Sequence, residues 1–368
     1  MCGENDMKIL MPYIDQYDRP ITHPIISGGI EMFCKSVNDN FETTVLQVPY
    51  YYVISKDCTA KEKKEMSRKI INHAENIGAD IILCNYIQSI FTGAEIIKSP
   101  IPIMMIEHCI YPMTSCITRW NNAINKGHSV FFVSKWQEKK YKKMSERTNQ
   151  RIVSTSGYIN PSYCKVKPNL QEYEYDCGTI GRCNSHKHPF KLKSMTKGED
   201  ISSLIITAKP PSKNPNDMSY YDKHKNLYDD VIWDEPYDKV MYNISRCRTY
   251  FSTWNAETWG ITAMEALSCG LPVILNCDND GDHASEIIPA DKGHYIKIPN
   301  NDKDALISAI KSFKGVDRKE IQEMTWDKHN LDGWKKQFAN CIDKTVEKFK
   351  SKNNNLKEFM NGEIHGKM

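Results

Sequence analysis

Residues 257–274 read ETWGITAMEALSCGLPVI. Met264, Ala266 and Leu267 give this stretch a helical apolar run that Gly270 stops and Pro272 keeps from resuming. A β-rich run, RTYFSTW (248–254), precedes it, and another, LPVILN (271–276), follows. Strand, helix and strand at that spacing argue for a parallel sheet. Two acids mark the helix. Glu257 stands just before it, and Glu265 lies eight residues on, about 12 Å away at 1.5 Å per residue. Glu265 sits inside the apolar run, an unusual place for a carboxylate with no task.

The same alternation extends in both directions. MKILMPYI (7–14) reads as a buried strand, followed by Ser27-Gly28-Gly29 and a helical pattern to about Asn38. FETTVLQVPYYY (41–52), GADIILCNY (78–86), IPIMMIEHC (101–109), HSVFFVSKW (128–136) and RIVSTSG (151–157) supply further strands, with helices near 61–77, 89–97 and 114–126. After a polar stretch with two prolines, CGTIGRC (177–183), SSLIITAKP (202–210) and DDVIWDE (229–235) open a second series. A helix near 236–246, a strand HYIKIP (294–299) and helices near 303–313 and 332–350 complete it. The pattern predicts an α/β protein of two Rossmann-like, doubly wound domains facing across a cleft. The expected divisions are a first domain over 1–160, a linker over 161–176 and a second domain over 177–330. A helix over 331–350 crosses back to the first domain, and a Lys/Asn-rich tail over 351–368 frays.

At 368 residues the chain is long enough for two domains, and 40% hydrophobic with 26% charged residues is ordinary for a soluble protein. The start lacks the pattern of a secretory signal, and no apolar run is long enough to span a bilayer. Thirteen cysteines without close CxxC pairs suit a reducing cytoplasm. A net charge of +3 implies no nucleic-acid partner by itself, so local patches must carry that question.

The order of motifs resembles the retaining glycosyltransferases of the GT-B fold, the group that includes sucrose synthases and bacterial sugar transferases. Four features carry it: Glu257-x7-Glu265 followed by Cys269-Gly270-Leu271-Pro272; Gly181-Arg182 followed by Lys187; Ser27-Gly28-Gly29 after the first strand; and His108 at a strand end. Within that group, GRCNSHKHPFKLKSM (181–195) and Glu107-His108-Cys109 look more like the DNA α-glucosyltransferases of T-even bacteriophages. Those enzymes carry an aspartate after the histidine, where this chain has Cys109.

The resemblance implies a UDP-sugar donor and retention of anomeric configuration, and since the basic pair Arg182 and Lys187 can take the place of a metal, none is expected. Arg182 can fork onto phosphate oxygens while Lys187 adds a point charge, as a departing diphosphate requires. Thr258, Trp259 and Gly260 begin a helix whose free N–H groups suit an anion. The resemblance assigns Glu265 to the ribose hydroxyls, Glu257 to the donor sugar and His108 to the donor sugar or acceptor hydroxyl. Gly28 and Gly29 would let a loop approach the phosphates without side-chain clash. Each has a plainer alternative: a solvated turn for Arg182 and Lys187, an amphipathic helix for the two acids, a structural strand-end histidine, a common Gly-Gly loop.

Two apparent metal motifs fail on spacing. Asp278-x-Asp280-x-Asp282 has its glycine one place early for a calcium loop and Pro289 where the closing glutamate belongs, so it reads as a loop with Glu286 beyond it. Cys177, Cys183, His186 and His188 match no standard zinc finger. The acceptor is less legible. Lys135, Lys139, Lys140, Lys142, Lys143 and Arg147 crowd a predicted helix with Trp136 and Tyr141, against only Glu138 and Glu146. That patch suits a DNA backbone, an anionic membrane surface or plain solvent. The lead expectation is double-stranded DNA with hydroxymethylated bases in a host cytoplasm, with Tyr50-Tyr51-Tyr52 a candidate wedge beside a flipped base. The alternatives are a lipid-linked or polysaccharide acceptor and a non-catalytic nucleotide-sugar-binding protein.

Overall fold

The computed structural model describes residues 7–15, 18–22, 29–49, 52, 58–84, 95, 98–107, 122–134, 137–138, 152–153, 172–185, 187–210, 215–254, 260–276 and 293–365. The chain divides into two compact units. The first contains Gly28–Ser156, the N-terminal stretch to His23 and Asp332–Met368; the second contains Gly157–Leu331.

The first unit is a six-stranded parallel sheet in the order β2-β1-β3-β4-β5-β6. Its strands are β1 (Ile9–Tyr13), β2 (Thr43–Gln47), β3 (Ile81–Cys84), β4 (Ile103–Glu107), β5 (Ser129–Phe132) and β6 (Ile152–Val153). Four of them, β1, β3, β4 and β5, are buried along their whole length, as expected of a parallel sheet covered on both faces. Helix α1 (Gly29–Asn40) leads into β2, and α2 (Ala60–Ile77) leads into β3. Thr59 starts α2 with a capping box shared with Glu62, and Gly78 ends it in a left-handed cap.

The second unit is another six-stranded parallel sheet, in the order β12-β11-β10-β7-β8-β9. It comprises β7 (Tyr175–Arg182), β8 (Ser203–Ala208), β9 (Val231–Trp233), β10 (Cys247–Ser252), β11 (Val273–Asn276) and β12 (Tyr295–Ile298). Read from β9, the order is that of a classical dinucleotide fold, 3-2-1-4-5-6, with the reversal between β7 and β10. The intervening helices are α3 (Lys191–Thr196), α4 (Pro215–His224), α5 (Tyr237–Ser245), α6 (Ile261–Ser268), α7 (Lys303–Ser312) and α8 (Arg318–Lys328). Strand β7 begins at Tyr175, inside the stretch expected to be linker.

The final helix, α9 (Leu331–His365), belongs to the first unit. Trp334 and Phe338 stack at 5.3 Å, and both meet Phe33 and Phe41 edge-on. Phe338 also packs on Phe131 of β5 at 5.7 Å. The expectation of a tail fraying after Lys350 differs from the structure, where α9 continues to His365. Once a helix is anchored, each added residue gains a hydrogen bond, so propagation is cheaper than composition suggests.

Sharp turning in the second unit depends on Gly270. Its φ is +77°, and an added Cβ would collide with the Arg318 carbonyl oxygen. Arg318, itself buried, donates from Nη2 to the Ser245 carbonyl at 2.8 Å, so one guanidinium closes the C-terminal end of α5 beside that of α6. Replacing Gly270 by Ala is expected to cost at least about 2 kcal/mol, from strain and overpacking together; chemical denaturation measures it, and an unchanged midpoint contradicts the packing described. A second expectation concerns alkaline pH. Burial pushes Cys177 up to about 12, and Cys34 and Cys247 well above the ordinary value of 9.0. Unfolded thiols ionise near 9.0 while these stay protonated, so the unfolded state holds fewer protons above that pH and stability falls as pH rises from 9 towards 12. Unfolding free energies across that range, compared with a Cys177→Ala variant, check the contribution.

Candidate functional site

In doubly wound sheets, ligands bind beyond the carboxyl ends of the strands where the strand order reverses. In the second unit that point lies between β7 and β10. Arg182 is the last residue of β7, and Thr253 and Trp254 directly follow β10. Arg182 is therefore placed at the crevice by topology.

The loop after β7 turns back over the strand end. Asn184 Oδ1 accepts from the Lys187 amide at 2.8 Å, and a Cβ at Gly181 would lie 3.6 Å from Lys187 Cβ. Thr253 Oγ1 donates to the Lys187 carbonyl at 2.5 Å and so ties this loop to the end of β10. Asn276 Nδ2 in turn donates to the Thr253 carbonyl at 2.8 Å, which links β11 into the same chain of bonds. The Lys187 ammonium lies 3.7 Å from the centre of the Trp254 ring. A cation over an indole face is attracted by the ring's negative face. Sequence reading found Lys187 but missed Trp254 and Thr253; an aromatic at the carboxyl end of a strand was the available signal.

Helix α6 begins at Ile261, just after the Thr258-Trp259-Gly260 start expected. Gly260 is its N-cap, in a left-handed conformation (φ 74°, ψ 54°) with no side-chain cap hydrogen bond. The positive end of the helix dipole thus points out at the carboxyl edge of β10. Tyr250 of β10 donates to Thr262 Oγ1 at 2.7 Å, fixing the first turn of α6 on the sheet. Glu265 lies in the middle of α6, only 5% exposed. Its Oε1 accepts from the Tyr237 hydroxyl at 2.8 Å. Tyr237 is the first residue of α5, just beyond β9, so Glu265 is drawn towards the same edge of the sheet.

The remaining expected site residues divide as follows. Glu257, Thr258, Trp259, Gly28 and His108 lie outside the described residues. So do the basic stretch around Lys139–Arg147, the Asp278–Asp282 loop, Glu286, His186 and Tyr50-Tyr51. Gly29 is the first residue of α1. The strand end that leads to His108 is well defined. Gln137, fully buried, donates from Nε2 to the Glu107 carbonyl at 3.1 Å and accepts from the Val133 amide at 2.9 Å. Cys177 and Cys183 pack into separate apolar clusters, one with Leu192 and Phe251, the other with Phe190 and Ile205. Among the described residues no three His, Cys, Asp or Glu side chains are grouped to hold a metal ion, and no helix is long and apolar enough to cross a membrane.

Comparison with known proteins agrees with this architecture. Residues 166–322 match the family model described as Glycosyl transferases group 1. No curated protein sequence matches the chain. Among solved structures, sucrose-phosphate synthase from Thermosynechococcus elongatus is similar with a TM-score of 0.68 at 13% identity, covering 91% of this chain and 98% of that one. A glycosyltransferase from Rickettsia africae gives 0.66 at 15% identity, covering 96% and 100%. The Anabaena protein HepE, solved with UDP and glucose, gives 0.65 at 14% identity, covering 92% and 99%. The fold is GT-B. No DNA α-glucosyltransferase of T-even phages is among these similar structures.

The tie between Thr253 and Lys187 has a direct check. Thr253→Val keeps the shape and removes the hydroxyl, and the loss is expected to be about 1 kcal/mol. Urea unfolding measures it, and an unchanged stability would mean that the two strand ends are not joined by this bond.

Proposed function

We propose that this chain is a retaining glycosyltransferase that takes a UDP-sugar as donor and a hydroxyl as acceptor. The observation that carries the proposal is the convergence at the β7/β10 reversal: Arg182 on the strand end, Lys187 held over Trp254, and the N-terminus of α6 with the left-handed Gly260 as its N-cap. All three suit a diphosphate. The group 1 match over residues 166–322 and the UDP held by HepE support the donor class.

In the reaction, negative charge grows on the leaving diphosphate as the bond to the anomeric carbon stretches. Arg182 can take two phosphate oxygens by its fork, and Lys187 can leave the indole face to neutralise a third. The α6 dipole adds stabilisation that needs no reorganisation, because backbone amides are already aligned. Glu265 accepts from the ribose hydroxyls. Glu257, ahead of α6, is assigned to the donor sugar, and His108 to the sugar or acceptor hydroxyl. Gly28 and Gly29 are assigned to the approach of backbone to the phosphates. No metal is required in this scheme, since the two cations and the helix end supply the positive charge.

For the acceptor, the proposal keeps a hydroxymethylated base of double-stranded DNA. It rests on the sequence alone, on the lysine-rich stretch 135–147 with Trp136 and Tyr141. A lipid-linked or polysaccharide acceptor is the second reading, favoured by one similar structure, the lipopolysaccharide outer core galactosyltransferase WaaB. Sugar transfer to duplex DNA with and without hydroxymethyl bases separates the two.

Binding of UDP is expected to stabilise the protein by about 2.7 kcal/mol at a hundredfold excess over Kd, read as a rise in melting temperature. Arg182→Ala is expected to weaken donor use roughly 10- to 150-fold, the range of a charge-assisted hydrogen bond, with kcat and affinity both falling. Near-normal turnover in that variant removes Arg182 from the site.

A further inference from the structure

The contact between Tyr237 and Glu265 joins residues 28 apart in sequence and belongs to no local helical pattern. A carboxylate at 5% exposure inside the run Ala263–Ser268, all buried, is costly unless it is held by donors. Tyr237 is such a donor, and its own placement is tightly built. It follows β9 through a turn in which Asp234 adopts a left-handed conformation (φ 55°). The Asp234 amide donates to the Thr207 carbonyl at 3.0 Å, and Asp234 Oδ1 accepts from the Lys209 amide at 2.8 Å. Pro236 then fixes the entry to α5, where Tyr237 is the first residue.

We propose that Tyr237 is a positioning residue for the nucleotide ribose: its phenol orients the Glu265 carboxylate so that the carboxylate accepts from the 2′- and 3′-hydroxyls, which makes the site select ribonucleotide over deoxyribonucleotide donors. This rests on the donor site proposed above. The chemistry favours a phenol for the task. A carboxylate offers about four acceptor directions, and one neutral donor occupies a single one. A lysine or arginine in the same position would neutralise the carboxylate and compete with the sugar for it. A phenol adds a hydrogen bond without bringing a positive charge, and it removes the rotational freedom of a glutamate side chain. Because the ribose is remote from the reacting carbon, the contact acts alike on ground and transition states. It therefore bears on KM and leaves kcat nearly unchanged.

The experiment is calorimetric titration of UDP and 2′-deoxy-UDP into the wild-type protein and the variants Tyr237→Phe, Tyr237→Leu, Glu265→Asp and Glu265→Gln, with melting curves for each. The wild-type protein is expected to prefer UDP by about tenfold, the effect of one hydrogen bond to a charged group. Tyr237→Phe is expected to bind UDP several-fold more weakly and 2′-deoxy-UDP almost unchanged, so that the preference shrinks to about twofold. In turnover, the donor KM rises with kcat unchanged. Glu265→Asp withdraws the carboxylate from the phenol and the ribose alike and is expected to lose the preference too; Tyr237→Leu, which also removes the hydroxyl, decides the matter should Tyr237→Phe not fold. A purely structural tyrosine would weaken both nucleotides equally. That result, or a preference kept in full by Tyr237→Phe or Glu265→Asp, overturns the proposal. If Glu265→Gln binds UDP as tightly and as selectively as wild type, the donor-site assignment itself falls. If Glu265→Gln loses selectivity while Tyr237→Phe keeps it, only the role of Tyr237 falls.

Discussion

The second unit turns on the close pairing of β7 with β10. These two strands are neighbours in space but are separated in sequence by two strands and three helices, and the sheet grows outward from them in opposite directions. Their approach requires a residue without a side chain at Gly178, where a Cβ would lie 2.5 Å from Cys247 Sγ and 2.7 Å from Ile244 Cδ1. With that pairing made, the loops leaving the two strands must part, and the crevice between them is a consequence of chain direction. Arg182, Lys187, Trp254 and the start of α6 are each carried to this crevice by the element they end or begin.

Helix α6 shows how charge is arranged around that constraint. Its C-terminal end is closed: Gly270 turns the chain tightly, the backbone of Arg318 packs against it, and the guanidinium lies beside the last carbonyls of α5 and α6. Burial lowers the Arg318 pKa, a cost offset by its place at the negative ends of two helix dipoles. The N-terminal end is left without a side-chain cap at Gly260. Between them, the one carboxylate of the helix is turned towards the same edge by Tyr237. A helix stabilised at its negative end, with its positive end at the carboxyl edge of the sheet, is suited to receive an anion.

Much of this was legible in the sequence because parallel strands announce themselves as short apolar runs. Each of the twelve described strands overlaps a run visible in the sequence, though β7 and β10 begin earlier than their runs, and the Gly181-Arg182 step and Glu265 could be placed from them. What was not legible has physical reasons. Helix α4 (PNDMSYYDKH) buries none of its residues, so it carries no apolar stripe. Helix α8 is mostly charged, with Ile321 its only fully buried apolar residue, and α3 is six residues long. The start of α6 was placed early because the sequence does not show that Gly260 takes a left-handed conformation and serves as the N-cap. Tyr237, Trp254 and Thr253 act through contacts across 28 to 67 positions of chain, which no local periodicity records. The length of α9 exceeds what its Lys/Asn-rich end suggests, since its anchoring comes from Trp334, Phe338 and Phe349 further back.

The central claim is that the β7/β10 crevice grips a pyrophosphate. A crystal structure of the protein with UDP tests it most directly. The account predicts phosphate oxygens within hydrogen-bond distance of Arg182 and Lys187, with Lys187 lifted from the Trp254 ring and the ribose hydroxyls on Glu265. UDP bound away from the ends of β7 and β10, with Lys187 still on the indole face, would contradict it.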